Sequence, residues 1–335
     1  MCIVLIKLAE KKDLRILIAG FTGFGNIGDE GILQAIMDEL GDNEYSVATT
    51  LPFTMLANYH RRLPILRDAR QIYDTRTDFD VYLLGGGKLN WGYGWRQALA
   101  VFSAGKPSMN YGVAYGKHPS LYHPKLNKLY HEFLKQFNAV TVRDQDSFEI
   151  MEELDVKSTL TMCPAINLKE TKYSCPENMI AVCPRYEDSD QYGNPGDNKP
   201  QIDWIVNRLE GLGEEVLLIP FAPKNMEGIP VDLALCREIS SRLKGAQILP
   251  TDGFNPRQVK YAISRSKLVI SGGRYHALVW AIAHKKPYEV CPSAMANYPR
   301  IQSIIRTHQI YGDKLKEMEK ENVKIFKKII KGDSN

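Results

Sequence analysis

Two doubly wound, Rossmann-like α/β domains facing across a cleft are what this sequence predicts, on three observations. Short apolar runs rich in β-branched side chains alternate with segments of helical spacing. The runs end in glycine-rich or charged punctuation, as parallel strands do where they turn into crossover helices. The alternation then halts after Met162 in a polar, proline-punctuated stretch, Cys163-Pro164-Ala165 through Cys175-Pro176-Glu177-Asn178, and restarts. Domains are therefore expected at 1–168 and 175–298, followed by a helical segment over 299–335.

In the first half, strands are expected at 15–19, 45–49, 81–84, 107–111, 139–142 and 159–162. In the second half they are expected at 179–183, 215–219, 246–249, 267–270 and 288–290. Past Pro299 the chain turns helical and basic, with Lys314, Lys316, Lys320, Lys324, Lys327, Lys328 and Lys331, while Ile325, Phe326, Ile329 and Ile330 form an apolar stripe. This segment reads first as a helix packed across both domains with a solvated lysine face. Peripheral membrane contact is the alternative.

Composition narrows the class. The chain has 335 residues, 44% apolar and 24% charged, which is the make-up of an ordinary globular protein. A net charge of +4 is too small to imply nucleic acid, and no zinc-finger, helix-turn-helix or RNP signature is present. No apolar run approaches the roughly 20 residues of a membrane helix, and the N-terminal charge order is wrong for a signal peptide. Six cysteines without a Cys-x-x-Cys pair argue against zinc and against a disulfide scaffold. Reduced thiols in a cytoplasmic protein are expected, with no metal.

The chemistry-bearing residues fall at strand ends. Gly23-Phe24-Gly25-Asn26-Ile27-Gly28-Asp29-Glu30 joins the first strand to a helix, and such an N-terminus suits an anion. It has the spacing of a dinucleotide fingerprint. However, Asp29 and Glu30 would repel a pyrophosphate, and the second strand lacks a ribose-binding acid, so an NAD(P) oxidoreductase ranks last. Asp29 also has the option of capping its helix. Gly85-Gly86-Gly87 follows the third predicted strand and signals either close backbone approach or a positive-φ turn. The aromatics Trp91, Tyr93 and Trp95 come next and could stack on a sugar. Asn110 to Lys117 repeats the strand-then-glycine pattern, and Arg143-Asp144-Gln145-Asp146 ends another strand with an acid suited to capping a helix.

In the second half, Pro184-Arg185 ends one strand, and a glycine- and proline-bearing loop over 186–199 follows. Ser271-Gly272-Gly273-Arg274-Tyr275-His276 ends another. Cations at a helix start oppose the dipole unless an anion lies between them and the amides. Arg274 could instead pair with a carboxylate, and His276 could be satisfied by backbone.

Taken together and in order, the segments 23–30, 84–87, 111–113, 142–147, 181–185 and Arg274-x-His276-Ala277 resemble the polysaccharide pyruvyl transferase family, and they span nearly the whole chain up to Arg300. The resemblance implies a glycosyltransferase-B-like fold and transfer of a pyruvyl group from phosphoenolpyruvate to a sugar as a cyclic ketal. Phosphoenolpyruvate is then a donor substrate, and no cofactor is required. It further implies donor binding by Arg185, Gly272, Gly273, Arg274, Tyr275 and His276, with His276 contacting the donor phosphate and assisting proton transfer as it leaves. Asp29 and Glu30 would orient or deprotonate the acceptor. Gly25, Asn26, Gly86, Gly87, Trp91 and Trp95 would complete the site for a carbohydrate or lipid-linked saccharide. The catalytic assignments are His276, Arg274 and Asp29. The chain departs from the family pattern at Cys163, where an aspartate is common before Pro-Ala, and at Ser271-Gly272-Gly273, which leaves the acceptor open. The alternatives are a nucleotide-sugar glycosyltransferase of the same fold and a non-catalytic carbohydrate- or anion-binding protein.

Overall fold

The computed structural model describes residues 13–20, 22–23, 25–48, 65–66, 71, 74–75, 77–85, 87, 105–115, 132–187, 196–222, 231–250 and 255–332. Two parallel sheets hold the chain. The first comprises β1 (Arg15–Ala19), β2 (Glu44–Ala48), β3 (Ile65–Leu66), β4 (Val81–Gly85), β5 (Ser108–Val113), β6 (Ala139–Val142) and β7 (Thr159–Leu160). Helices α1 (Ile27–Leu40) and α2 (Gln145–Glu153) belong to it. Its strand order is β3-β2-β1-β4-β5-β6-β7. Sequential pairing reverses between β1 and β4, so the loops after these two strands flank the crevice where open α/β sheets bind ligands. Central strands are buried on both faces, which is why Val81-Tyr82-Leu83-Leu84 reads as a continuous apolar run rather than an alternation.

The second sheet repeats the plan with β8 (Ile180–Cys183), α3 (Lys199–Leu209), β9 (Val216–Leu218), α4 (Asp232–Arg242), β10 (Gln247–Ile248), α5 (Pro256–Arg265), β11 (Leu268–Ser271), α6 (Tyr275–Ala283) and β12 (Tyr288–Val290). The order β10-β9-β8-β11-β12 puts its reversal between β8 and β11. Arg185 and the Ser271–His276 turn follow those two strands, so each sheet offers its switch point to the other.

The facing surfaces are packed rather than open. One apolar core runs from Ile16, Ile27 and Ile32 of the first unit to Phe221, Leu278 and Trp280 of the second. Polar contacts fix the seam: Trp280 Nε1 donates to the Ala165 carbonyl at 2.9 Å, and Lys260 Nζ donates to the Ile166 and Leu168 carbonyls at 2.7 Å each. Arg257 adds a half-buried ion pair to Asp38.

Past β12 the chain continues as α7 (Pro292–Asn297), α8 (Pro299–Tyr311), α9 (Leu315–Glu319) and α10 (Glu321–Lys331), and these helices return to the first sheet. Gln145 N–H donates to Thr307 Oγ1 at 3.0 Å, and Thr141 Oγ1 donates to buried Asn322 Oδ1 at 2.6 Å. Phe326, Ile329 and Ile330 are buried, Ile325 is half-buried, and Lys324, Lys327, Lys328 and Lys331 are exposed.

Strand ends shift by one or two residues from the sequence expectation, as at β7 and β10, and three further details differ. The two-residue edge strand β3 has too little pattern to be read from sequence. Strand β5 continues through Gly112, because that glycine (φ 59°) sits in an irregularity of pairing between Asn110 and Val113 rather than ending the strand. Helix α1 begins at Ile27, ahead of the apolar spacing that starts at Ile32.

Candidate functional site: an arginine-lined cavity at the switch points

Helix α1 starts with its amides already engaged. Asn26 Oδ1 accepts from Gly28 N–H at 3.1 Å, and Asn26 Nδ2 donates to Asp29 Oδ2 at 2.6 Å. Ile27 N–H donates across the seam to the Phe221 carbonyl at 2.9 Å. The helix cap is therefore Asn26, not Asp29, and this loop is not an open anion cradle, since the neighbouring unit occupies it. Gly28 explains the closeness: a Cβ there would lie 2.0 Å from His276 Nδ1. The α1 backbone and the His276 ring are in direct contact.

Helix α6 starts differently. Ser271 Oγ accepts from the N–H groups of Gly273 at 3.2 Å and Arg274 at 3.0 Å, forming the turn after β11. Arg274 is the N-cap residue, and no side chain caps this helix. His276 is the second helical residue, 6% exposed, and its Nε2 has no hydrogen-bond partner. Gly273 (φ 110°) adopts a conformation that other residues avoid, and it abuts Tyr298. Gly272 is packed against the Gln201 amide. Both glycines shape the turn from behind, outside the cavity lining.

These elements enclose a cavity of about 250 Å³ lined by Asn26, Asp29 and Gly87 from the first unit and by Arg185, Phe221, Arg274, Tyr275 and His276 from the second. Two further guanidiniums line it, Arg143 at the end of β6 and Arg300 in the first turn of α8. Four arginines thus face one lining carboxylate. Arg274 pairs with fully buried Asp232, which also accepts from Tyr186 N–H at 2.9 Å and Ala222 N–H at 2.8 Å. Arg143 lies 3.9 Å above the Tyr275 ring and 3.6 Å from Asp144, a separation that gives attraction without a hydrogen bond. The Arg185 guanidinium stacks 3.8 Å over Tyr298, while its backbone is clamped from both sides by Gln201. Nitrogens of Arg143, Arg185 and Arg300, together with the Tyr275 hydroxyl, have no hydrogen-bond partner.

The electrostatics follow from crowding. Burial and the neighbouring Arg185, Arg274 and Arg143 push Arg300 well below its ordinary value. Burial, reinforced by Arg143, Arg300 and Arg274, holds His276 well below the usual imidazole range and so favours the neutral ring. Burial raises Asp29 to about 6, and the same arginines limit the rise. Glu30 is pushed up to about 8, mainly by burial.

Of the residues singled out from sequence, Asn26, Asp29, Gly87, Arg185, Arg274, Tyr275 and His276 meet at this cavity. Gly87 has φ 75° and presents backbone to it, whereas Gly85 sits within β4, where a Cβ would press on Ile36. Glu30 does not reach the cavity. It is fully buried beneath it, and its Oε1 accepts from Gly23 N–H at 2.7 Å. Gly25 (φ 70°) also lies outside the lining. Gly86, Trp91, Tyr93 and Trp95 lie outside the described residues, as do 188–195 of the loop after Arg185. Asp144 caps α2, its Oδ1 accepting from Ser147 N–H at 2.9 Å. Arg143 was read at its strand end without a role in the site, and Arg300, Phe221 and Asp232 were not expected. The cation-at-a-helix-start argument applied to Arg274 also fits Arg300 after Pro299, whereas Phe221 and Asp232 carry no sequence signal.

Among the described residues, no group of three or more His, Cys, Asp or Glu could hold a metal ion, and no helix is long and apolar enough to cross a membrane. The described cysteines are free.

Two parallel sheets, each with its switch point turned toward the other, define a glycosyltransferase-B-like α/β protein. The solved structures agree on fold. The UDP-GlcNAc 2-epimerase of Neisseria meningitidis bound to UDP-GlcNAc superposes with TM-score 0.56 at 12% identity, covering 94% of this chain and 99% of that one. The S. aureus MnaA–UDP structure gives 0.60 at 11% identity, covering 94% and 96%. Anabaena HepE with UDP and glucose gives 0.54 at 13% identity, covering 96% and 100%. No curated protein matches the sequence. The profile of the polysaccharide pyruvyl transferase family matches residues 26–287, most of the chain, and the protein belongs to that family.

Proposed function

We propose that this protein transfers the pyruvyl group of phosphoenolpyruvate to a carbohydrate, forming a cyclic ketal and releasing phosphate. The observation that carries this reading is the set of four guanidiniums around a 250 Å³ cavity, several of their nitrogens unpartnered and only Asp29 opposing them on the lining. A small ligand with both a phosphate and a carboxylate satisfies such a site. The cavity is below the roughly 300–1,000 Å³ usual for drug-sized ligands. Burying this much positive charge without a counter-anion is costly.

Arg185, Arg274, Arg143 and Arg300 bind the two anionic groups. Asp29, with its pKa raised to about 6, delivers a proton to the methylene carbon, which leaves C2 electrophilic. An acceptor hydroxyl adds to C2, and its proton returns to Asp29. The C2–O bond to phosphate then breaks, and a second hydroxyl closes the ketal. Of the two hydroxyl protons, one balances the new methyl hydrogen and the other leaves with phosphate. His276 is the donor to that phosphate: anion binding offsets the surrounding cations, raises its pKa and lets it carry the proton. Protonation alone activates the donor, so the chemistry needs no cofactor.

Thermal unfolding tests the donor. Phosphoenolpyruvate at 100 times its Kd should add about 2.7 kcal/mol of stability. Arg300→Gln should lose that shift without losing stability of the free protein, because it also relieves repulsion among cations. Stabilisation by UDP-glucose and none by phosphoenolpyruvate would overturn the reading in favour of a nucleotide-sugar enzyme.

A further inference from the structure

Next to the arginine cavity is a larger chamber of about 590 Å³ whose position and lining the donor does not account for. The two share Arg185 and Arg300 as a wall, so a molecule in the chamber lies beside the same two guanidiniums that line the cavity. Beyond that wall the chamber lies between α2 and α8, and its chemistry changes sign. Asp144, Asp146, Glu149 and Glu153 line it from the α2 side, against the single additional cation Arg306, which is bound to Asp146 at 2.9 Å and Glu149 at 2.6 Å. Ser303, on α8, gives an independent sign of a ligand. It is 3% exposed, its Oγ has no hydrogen-bond partner, and it lines the chamber.

We infer that this chamber is the acceptor subsite and that it selects an uncharged sugar unit at the reacting end. The inference rests on the pyruvyl-transfer reading for its name as acceptor, but its content, a neutral-saccharide site, stands on the chamber alone. Carboxylates and a serine hydroxyl are complementary to sugar hydroxyls, which donate and accept. A hexuronate would bring its own carboxylate against the acidic wall, where like charges are disfavoured. Ketal formation at two oxygens requires the sugar hydroxyls to lie next to the donor, and the chamber borders the cavity at Arg185 and Arg300.

The test is saccharide binding followed by saturation-transfer NMR. The probes are the methyl glycosides of glucose, galactose and mannose and their matched uronides, each with the full-length protein. The wild type should bind at least one neutral glycoside about tenfold more tightly than its uronide. Asn297→Trp, at an exposed rim position, should abolish binding of the glycosides while leaving the thermal shift with phosphoenolpyruvate unchanged. Glu153→Lys should narrow or invert the preference, an effect that simple loss of folding would not produce. Unchanged glycoside binding in Asn297→Trp, no binding of any probe to the wild type, or equal binding of glycosides and uronides would overturn the inference. Loss of the phosphoenolpyruvate shift in the wild type, with chamber-dependent glycoside binding intact, would instead overturn the donor assignment alone.

Discussion

Gly28→Ala is the substitution that separates folding from chemistry most cleanly. Gly28 is the second residue of α1, and alanine there favours the helix by about 1 kcal/mol. The new methyl, however, would lie 2.0 Å from His276 Nδ1, 2.4 Å from Cγ and 2.8 Å from Cβ, so ring or helix must move. Overpacking costs about 1–3 kcal/mol, which leaves a net loss of about 0–2 kcal/mol once the helix gain is counted. For a domain of this class that lowers Tm by a few degrees. If His276 hands its proton to the leaving phosphate, a displacement of about 1 Å should cost on the order of a hundredfold in kcat. The control is Gly31→Ala, one turn along the same helix, where the methyl meets Trp280 Cζ2 at 3.1 Å and no site residue. Phosphate release from phosphoenolpyruvate with acceptor, read alongside Tm, should show loss of kcat in Gly28→Ala and near-normal turnover in Gly31→Ala. Full activity in Gly28→Ala with a normal Tm would refute the role given to His276 and to its contact with α1.

His276→Gln should lower kcat at least tenfold, or 1.4 kcal/mol of barrier, while affinity for phosphoenolpyruvate changes less. A rise in KM alone would make His276 a binding residue. With Asp29 as the acid, kcat/KM should fall as pH rises through about 6, because the carboxyl must begin protonated; Asp29→Asn should remove that limb along with most activity. Glu30, raised to about 8 from an unfolded value of 4.5, binds more protons when folded than when unfolded, so it should make stability fall as pH rises between those values. Glu30→Gln should flatten that slope in pH-dependent urea unfolding, by at most about 5 kcal/mol on the scale of 1.36 kcal/mol per unit.

The fold was legible in the sequence where burial on both strand faces left uninterrupted apolar runs, as in β1, β4, β8 and β11. Residues that line the candidate cavity were legible where they follow such runs directly: Asn26 and Asp29 after β1, Arg185 after β8, Arg274 and His276 after β11. What stayed hidden depends on tertiary return. Arg300 sits on a helix that packs back to the first sheet, and Phe221 and Asp232 act through contacts 194 and 42 residues away in sequence, with Ile27 and Arg274. Burial reassigned two residues that local pattern could not rank. Glu30 went beneath the site, and the Arg274 charge proved partly compensated. Removing Arg274 therefore strands a buried carboxylate as well as deleting the proposed donor contact, so Arg300 is the better probe of anion binding.

The central claim is tested most directly by following the pyruvyl carbon itself. The protein is incubated with phosphoenolpyruvate isotopically labelled at C2, a neutral saccharide and, in competition, UDP-glucose. The account predicts the label in a quaternary ketal carbon attached to two sugar oxygens, with one phosphate released per ketal and UDP-glucose intact. Label remaining in phosphoenolpyruvate while UDP is released, or phosphate released without any ketal, would contradict it.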